Sequence, residues 1–293
     1  MRKTKKRQVV RVLGTGEWKF AALSLLLLIC FTLLVYYQIL SQLKLYIDDD
    51  DAYSYRVVIP PMFLIILIFF YRKDLKVEKD ARKLLLAVPL FAIAAVLLWG
   101  ADLFPSCGLD VLSMPFFVAG GMLIFFSIQT LRKLLFLILY LLLLWTPLFQ
   151  PIISTQQTLT NFTSSIVGIA VMLTGLPVQR EGNIFYSGSR VSLEVVPECV
   201  PLSAMIALFC FLLPFAYVGK GELKNRLAWL AAWVIGGWGL NTLRIIVVLL
   251  IWYYSGISLA LQVFHTLGGN IIFDIALVAS LLSFSLFKLD FPL

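Results

Sequence analysis

The sequence predicts an all-α integral membrane protein of about eight transmembrane helices, with a small extracytoplasmic insertion, a helix plus a β-hairpin, ahead of the sixth. Three observations predict this fold class. Hydrophobic residues make up 61% of the chain, and its mean hydropathy is +0.95, far above that of soluble domains. Only 14% of the residues are charged. The apolar residues form runs of about 17 to 25 residues, the length of a membrane-spanning helix, without the polar alternation of barrel strands.

Basic residues predict which side of the membrane each loop occupies. The loops between spans alternate sides, and one set of loops holds 19 of the 24 lysines and arginines. Most acids lie in the opposite set, which indicates that both termini are cytoplasmic in a multi-pass protein of the inner (cytoplasmic) cell membrane. Orientation in the membrane, and not nucleic-acid binding, then explains the net charge of +8. The predicted spans are 20–40, 57–71, 84–100, 111–128, 133–149, 199–218, 227–252 and 265–287.

The chain is predicted to be a single polytopic membrane domain in three parts. The basic N-terminus and the following apolar run resemble a signal peptide. However, Tyr36-Tyr37-Gln38 stands where small residues should precede a cleavage site, so we expect a retained first span. Within residues 1–293, the three parts are 1–149 with five N-terminal spans, 150–198 with the extracytoplasmic insertion, and 199–293 with three C-terminal spans and the candidate active site.

The insertion contains the longest non-hydrophobic stretch of the chain. Its first part, Ile152 to Leu176, begins with too many polar residues for an ordinary span, which favours a helix in the outer membrane interface. Gly182-Asn183 and Ser187-Gly188 tolerate positive φ and predict a small hairpin. The alternative is a ninth, weakly hydrophobic span, which would move Cys199 to the cytoplasmic side and break the charge asymmetry.

Cys199 is the first candidate for chemistry, because it stands where the insertion ends and a new apolar run begins. A thiol at a helix N-terminus faces unpaired N–H groups and the positive end of the helix dipole, which favour the thiolate. The alternative is a small packing residue. The four cysteines have neither metal-site nor disulfide spacing. Pairing of Cys199 with Cys107, if both are on the outer side, would silence the thiol.

Arg244 is the second candidate, because an arginine inside a span is costly and usually functional. Asn241 is three residues away and shares its helix face. Asp274 lies about 13 Å below the outer end of its span and Arg244 about 12 Å below the end of its own, so the two side chains could meet. A buried Arg244–Asp274 ion pair is therefore the structural alternative.

His265, the single histidine, is predicted at the outer end of the last span. A thiolate nucleophile, a histidine as base and acid, and an arginine that stabilises the thiolate or the oxyanion are the parts of an acyl-transfer site. A satisfied structural histidine is the alternative. The acidic run Asp48 to Asp51 is better explained as a solvated outer loop than as a cation site, because consecutive acids repel one another. The sequence predicts no metal site and no cofactor.

The second half of the chain resembles the exosortase/archaeosortase family of membrane cysteine transpeptidases. The resemblance rests on an ordered set of motifs. The chain departs from the family at one point: the family commonly has a small residue and glycine directly after the cysteine, whereas Val200-Pro201 follows it here. It implies that Cys199, Arg244 and His265 are catalytic, and that exported proteins with a C-terminal sorting signal and a transmembrane helix are substrates. The motifs are Gly175-Leu176-Pro177-Val178, Glu198-Cys199 with Ser203 following, Asn241-x-x-Arg244 and the entry to the last span at His265.

This resemblance predicts that the substrate is cleaved near the outer membrane surface and that its thioester passes to an amine, a lipid or water. Glu198 is assigned to orient the substrate backbone or His265, with Asn241, Asp274 and Ser203 in supporting or substrate-binding positions. Membrane lipids are expected partners and nucleic acid is not. Two other functions fit the sequence: a non-catalytic transporter or assembly scaffold held by Arg244 and Asp274, and a membrane thiol acyltransferase with a lipid donor.

Overall fold

The computed structural model of the chain describes residues 15–48, 53–78, 82–188, 192–200, 202–266 and 269–291. Helices dominate it, as the composition predicts. Asp49, Asp50 and Asp51 of the acidic run lie outside the described residues. The α-helices are α1 (Thr15–Val35), α2 (Tyr37–Asp48), α3 (Ile59–Phe70), α4 (Arg82–Leu103), α5 (Leu109–Phe125), α6 (Ile128–Tyr140), α7 (Gln150–Ile153), α8 (Gln156–Leu173), α9 (Leu202–Val218), α10 (Leu223–Ser255), α11 (Ile257–Thr266) and α12 (Gly269–Leu282).

Three helical segments of the described chain are long and apolar enough to cross a membrane: Arg82–Leu103, Pro197–Val218 and Leu223–Ser255. They correspond to the predicted third, sixth and seventh spans. The predicted fifth span is broken, because α6 ends at Tyr140 and short 3-10 helices follow. The total of eight spans stays a prediction. Four of the other predicted spans contain or overlap a shorter apolar helix of the described chain: Lys19–Val35, Ser54–Phe70, Leu109–Phe125 and Asp274–Phe287.

The chain forms two compact units, the first of which comprises residues 1–40 and 64–142. In this unit α4 packs along α5, and the ring of Phe91 meets that of Phe117 edge-on with centroids 5.4 Å apart. Gly120 permits this contact, since a Cβ there would lie 3.1 Å from the Phe91 ring. All of the predicted site residues belong to the second unit.

The second unit comprises residues 41–63 and 143–293 and is built around the long helix α10. Helices α8, α9, α11 and α12 each pack against α10. One hydrophobic cluster joins α8 and the rest of the insertion to the C-terminal half of α10, and its buried members include Phe185, Val200 and Trp252. A second cluster surrounds the fully buried Trp229, near the other end of α10. The candidate site lies beside the first cluster.

The insertion folds into a helix followed by a small sheet, as its sequence predicts. Helix α8 precedes the antiparallel strands β1 (Gln179–Glu181), β2 (Ile184–Tyr186) and β3 (Leu193–Glu194), which pair in the order β1-β2-β3. The turn Gly182-Asn183 joins β1 to β2, and the φ of Gly182 is 60°. The predicted hairpin is therefore confirmed. Strand β3, with only two residues, was not predicted.

The structure corrects the predicted helix start at Cys199. Helix α9 begins at Leu202, and Cys199 instead ends a 3-10 helix, Pro197–Cys199. The reason lies in Val200, which precedes a proline in the sequence and is therefore disfavoured in the α-helical conformation. Its backbone has φ −115° and ψ 81°. The nucleophile candidate thus stands three residues before the α-helix rather than in its first turn.

The structure also corrects the predicted entry of the last span at His265. Gly256, with φ 89°, ends α10, and the separate short helix α11 follows before α12 begins at Gly269. His265 therefore lies in the last turn of α11 and not at the start of the final helix. The sequence analysis places residues 253–264 between the seventh and eighth spans, so α11 was not predicted as a helix of its own.

Candidate active site

Helix α10 carries two polar side chains into the interior of its unit. Asn241 and Arg244 are 5% and 8% exposed, and they share one helix face as predicted. Nη1 of Arg244 donates to Oδ1 of Asn241 at 3.2 Å. A buried guanidinium is costly unless its donors are satisfied, and Asn241 satisfies one of them.

Asn241 connects Arg244 to the segment that contains Cys199. Nδ2 of Asn241 donates to the backbone carbonyl oxygen of Cys199 at 2.8 Å. Because a carbonyl oxygen only accepts and a guanidinium only donates, both bonds require the same orientation of the amide group. One side chain therefore links the backbone of Cys199 to the guanidinium of Arg244.

Cys199 is a half-buried free thiol, so the pairing with Cys107 that the sequence left open is not formed. Its backbone N–H donates to the carbonyl oxygen of Val196 at 2.9 Å. Burial is the largest influence on the Cys199 thiol and disfavours the charged thiolate, as do the negative charges of Glu198 and Glu194, whereas the positive charge of Arg244 favours it. Because α9 starts only at Leu202, the helix N-terminus that the sequence predicts at Cys199 is not there to favour the thiolate.

Phe264 of α11 holds the other side of the guanidinium. Nη2 of Arg244 donates to the backbone carbonyl oxygen of Phe264 at 3.3 Å. Cζ of Arg244 also lies 4.1 Å from the centroid of the Phe264 ring, a cation–π distance. Phe264 was not predicted from the sequence, because an aromatic residue in an apolar run gives no polar signal. These contacts bring the end of α11 to Arg244.

His265 directly follows Phe264 in the last turn of α11. Its backbone therefore lies next to the carbonyl group that accepts from Arg244. The His265 side chain lies outside the part of the chain that the structure describes. The convergence of its imidazole with the thiol stays a prediction.

The other three predicted residues are less buried than Asn241 and Arg244. Glu198 is exposed beside Cys199, and Ser203 is half-buried in the first turn of α9. Asp274 is exposed on α12, and among the described residues no ion pair joins it to Arg244. The Arg244–Asp274 ion pair that the sequence left open is therefore not formed. Within the same residues, no three histidine, cysteine or acidic side chains are grouped to hold a metal ion.

A comparison with protein families shows which family this chain belongs to. Residues 47–282 match the family model described as transmembrane exosortase, a range that includes Cys199, Asn241, Arg244 and His265. The chain belongs to the transmembrane exosortase family. No curated protein and no solved structure matches it. Membership confirms the resemblance seen in the sequence and suggests, in general terms, a membrane cysteine transpeptidase.

In this exosortase, α8 supplies a further contact to the segment of Cys199. Nε2 of Gln156 donates to the carbonyl oxygen of Pro197 at 3.1 Å, in the 3-10 helix that ends at Cys199. In the sequence, Gln156 is one of several polar residues at the start of the segment Ile152 to Leu176 that argue against a span. No sequence signal singles it out, because its role depends on which face of α8 turns inward.

The polar residues of α8 in this exosortase are partly internal. Thr160, Thr163 and Ser164 are completely buried. The indole Nε1 of Trp238 donates to Oγ1 of Thr163 at 3.0 Å, and Phe162 stacks on Trp238 with ring centroids 5.7 Å apart. The polarity that the sequence analysis assigned to the membrane interface therefore also fixes α8 against α10.

Apolar residues of this exosortase surround the candidate site. Cys199 and Phe264 pack against the cluster that contains Val200, Leu249 and Trp252. Electrostatic interactions are stronger in such low-dielectric surroundings than in water. The charge of Arg244 can therefore act strongly on a thiolate or oxyanion that forms there.

Proposed function

We propose that this exosortase cleaves the C-terminal sorting signal of exported, membrane-tethered proteins through a thioester on Cys199. The observation that carries the proposal is the hydrogen-bonded connection from the Cys199 carbonyl through Asn241 to Arg244. It supports a nucleophile and a cation that act together in one partly buried site. Family membership supports the class of reaction.

In the proposed reaction the Cys199 thiolate attacks the carbonyl carbon of the scissile peptide bond. Arg244 stabilises the negative charge that develops on the carbonyl oxygen. His265 donates a proton to the departing amine, and the C–N bond breaks to leave an acyl thioester on Cys199. An amine, a lipid nucleophile or water then attacks the thioester, gives its proton to His265 and releases the thiolate.

The proposed orientation places this site at the extracytoplasmic face of the inner membrane, with both termini in the cytoplasm. The charge asymmetry of the loops supports this orientation. The transmembrane helix of the substrate would keep its cleavage site near the outer surface, within reach of Cys199. Glu198, exposed beside Cys199, is suited to orient the substrate backbone.

Weighing the adduct on Cys199 tests the proposed function. Membranes of cells that express the enzyme are quenched in acid, and the fragment that contains Cys199 is analysed by mass spectrometry. We expect a peptide attached as a thioester and released by hydroxylamine, whereas the fragment that contains Cys30 serves as the unmodified control. A fatty-acyl mass would instead identify a thiol acyltransferase. An unmodified Cys199 in membranes rich in exported proteins would favour a transporter or scaffold.

A further inference from the structure

We propose that Gln156 is a positioning residue for the nucleophile, which fixes the 3-10 helix Pro197–Cys199 together with Asn241. This inference rests on the proposed function and adds a residue from the insertion to the machinery of the same site. Gln156 does not touch the reacting atoms. It acts by holding the short segment that presents the thiol.

Two side-chain amides from two different helices hold this segment. Gln156 of α8 donates to the Pro197 carbonyl at 3.1 Å, and Asn241 of α10 donates to the Cys199 carbonyl at 2.8 Å. The two accepting groups belong to the first and last residues of the 3-10 helix. Both ends of the segment are therefore anchored from outside.

The segment needs such anchors, because it has little internal structure of its own. Short 3-10 helices have poor hydrogen-bond geometry, and α9 does not begin until Leu202. Its own bonds are two contacts of the 3-10 type: Cys199 N–H donates to the Val196 carbonyl at 2.9 Å, and Val200 N–H to the Pro197 carbonyl at 3.0 Å. A nucleophile displaced by about 1 Å can lose about a hundredfold in rate. External anchors therefore bear directly on turnover.

Neighbouring glutamines of α8 show that this contact is specific to Gln156. Gln156 is half-buried and reaches across to Pro197, whereas Gln157 is exposed and bonds to Asn161 within α8 at 3.0 Å. The α8 backbone at Gln156 is itself held, since the hydroxyl of Thr160 donates to the Gln156 carbonyl at 2.9 Å. Substitutions at Gln157 thus provide a matched control on the same helix turn.

The experiment uses full-length enzyme in detergent and full-length substrate solubilised from membranes of Cys199→Ala cells. We compare Gln156→Glu, which keeps the size but loses the N–H donors when ionised, and Gln156→Leu with the same two substitutions at Gln157. For Gln156→Glu and Gln156→Leu we expect about tenfold lower turnover at saturating substrate. The KM for substrate and the alkylation rate of Cys199 by iodoacetamide should remain within about twofold of wild type, because neither demands an oriented thiol.

A pH profile separates positioning from folding. A protonated carboxyl group has one O–H donor, so turnover by Gln156→Glu relative to wild type should recover between about pH 8 and pH 5. Gln156→Leu should show no such recovery. Equal turnover in the Gln156 and Gln157 variants would overturn the inference. A parallel loss of turnover and alkylation would also overturn it, since Gln156 would then only stabilise the fold. Failure of wild-type enzyme to process the substrate would instead reject the proposed function.

Discussion

Replacing Cys199 by alanine should abolish processing and leave full-length exported proteins in the membrane. Without the sulfur no thioester forms, and loss of a nucleophile typically lowers turnover by about a thousandfold or more. Neither Arg244 nor Asn241 can replace it as the nucleophile, because the guanidinium stays protonated and only donates, and the amide of asparagine is neutral. Mass spectrometry of C-terminal tryptic peptides in membrane fractions measures the effect. Peptides that wild-type cells remove should persist in Cys199→Ala cells.

Cys30 provides the matched control for this variant. It is exposed on α1, in the other compact unit of the chain, and Cys30→Ala should process substrate at the wild-type rate. Both variants should accumulate to wild-type levels, because cysteine to alanine is a small change in volume. Continued removal of C-terminal peptides by Cys199→Ala would show that the nucleophile lies elsewhere.

Replacing Arg244 by lysine should lower turnover by about a hundredfold, and replacing it by glutamine by up to about a thousandfold. The planar guanidinium reaches Oδ1 of Asn241 and the Phe264 carbonyl at the same time, at 3.2 and 3.3 Å. A lysine ammonium is a point charge that cannot reproduce this fork. Glutamine also removes the positive charge that favours the thiolate. Both losses should appear in turnover rather than in KM.

Arg226 is the control for these substitutions. It lies on the same helix, about 27 Å away along the axis, and donates to the backbone carbonyls of Gly221 and Tyr217. Arg226→Lys and Arg226→Gln should retain near wild-type turnover. Near wild-type activity in Arg244→Gln would remove Arg244 from the mechanism.

Local sequence patterns were sufficient to predict much of the site-bearing unit. Spacing of three residues placed Asn241 and Arg244 on one helix face, and both are buried together. Turn residues at Gly182-Asn183 predicted the hairpin, because few residue types tolerate positive φ. The helix of the insertion followed from its polar start and apolar end. These features depend on short stretches of chain, which a single sequence contains in full.

The sequence could not predict features that depend on contacts between distant segments. The helix start at Cys199 is instead a local error, placed three residues too early because the following proline disfavours the α-helical conformation at Val200. The separate helix α11 was missed because most of its residues were assigned to the connection between the predicted spans 227–252 and 265–287. Gln156 and Phe264 gained their roles only when α8 and α11 packed against α10.

Cadmium protection of the thiol tests most directly whether Cys199 and His265 share one site. Cd²⁺, like Zn²⁺, binds thiolate and imidazole together when both lie within a few ångströms, and His265 is the single histidine of the chain. The measurement is the rate of Cys199 alkylation with and without Cd²⁺ in wild type and in His265→Ala. The proposed site predicts strong protection in wild type that is largely lost in His265→Ala. Equal protection in both proteins, or none in either, would contradict the convergence of the two side chains.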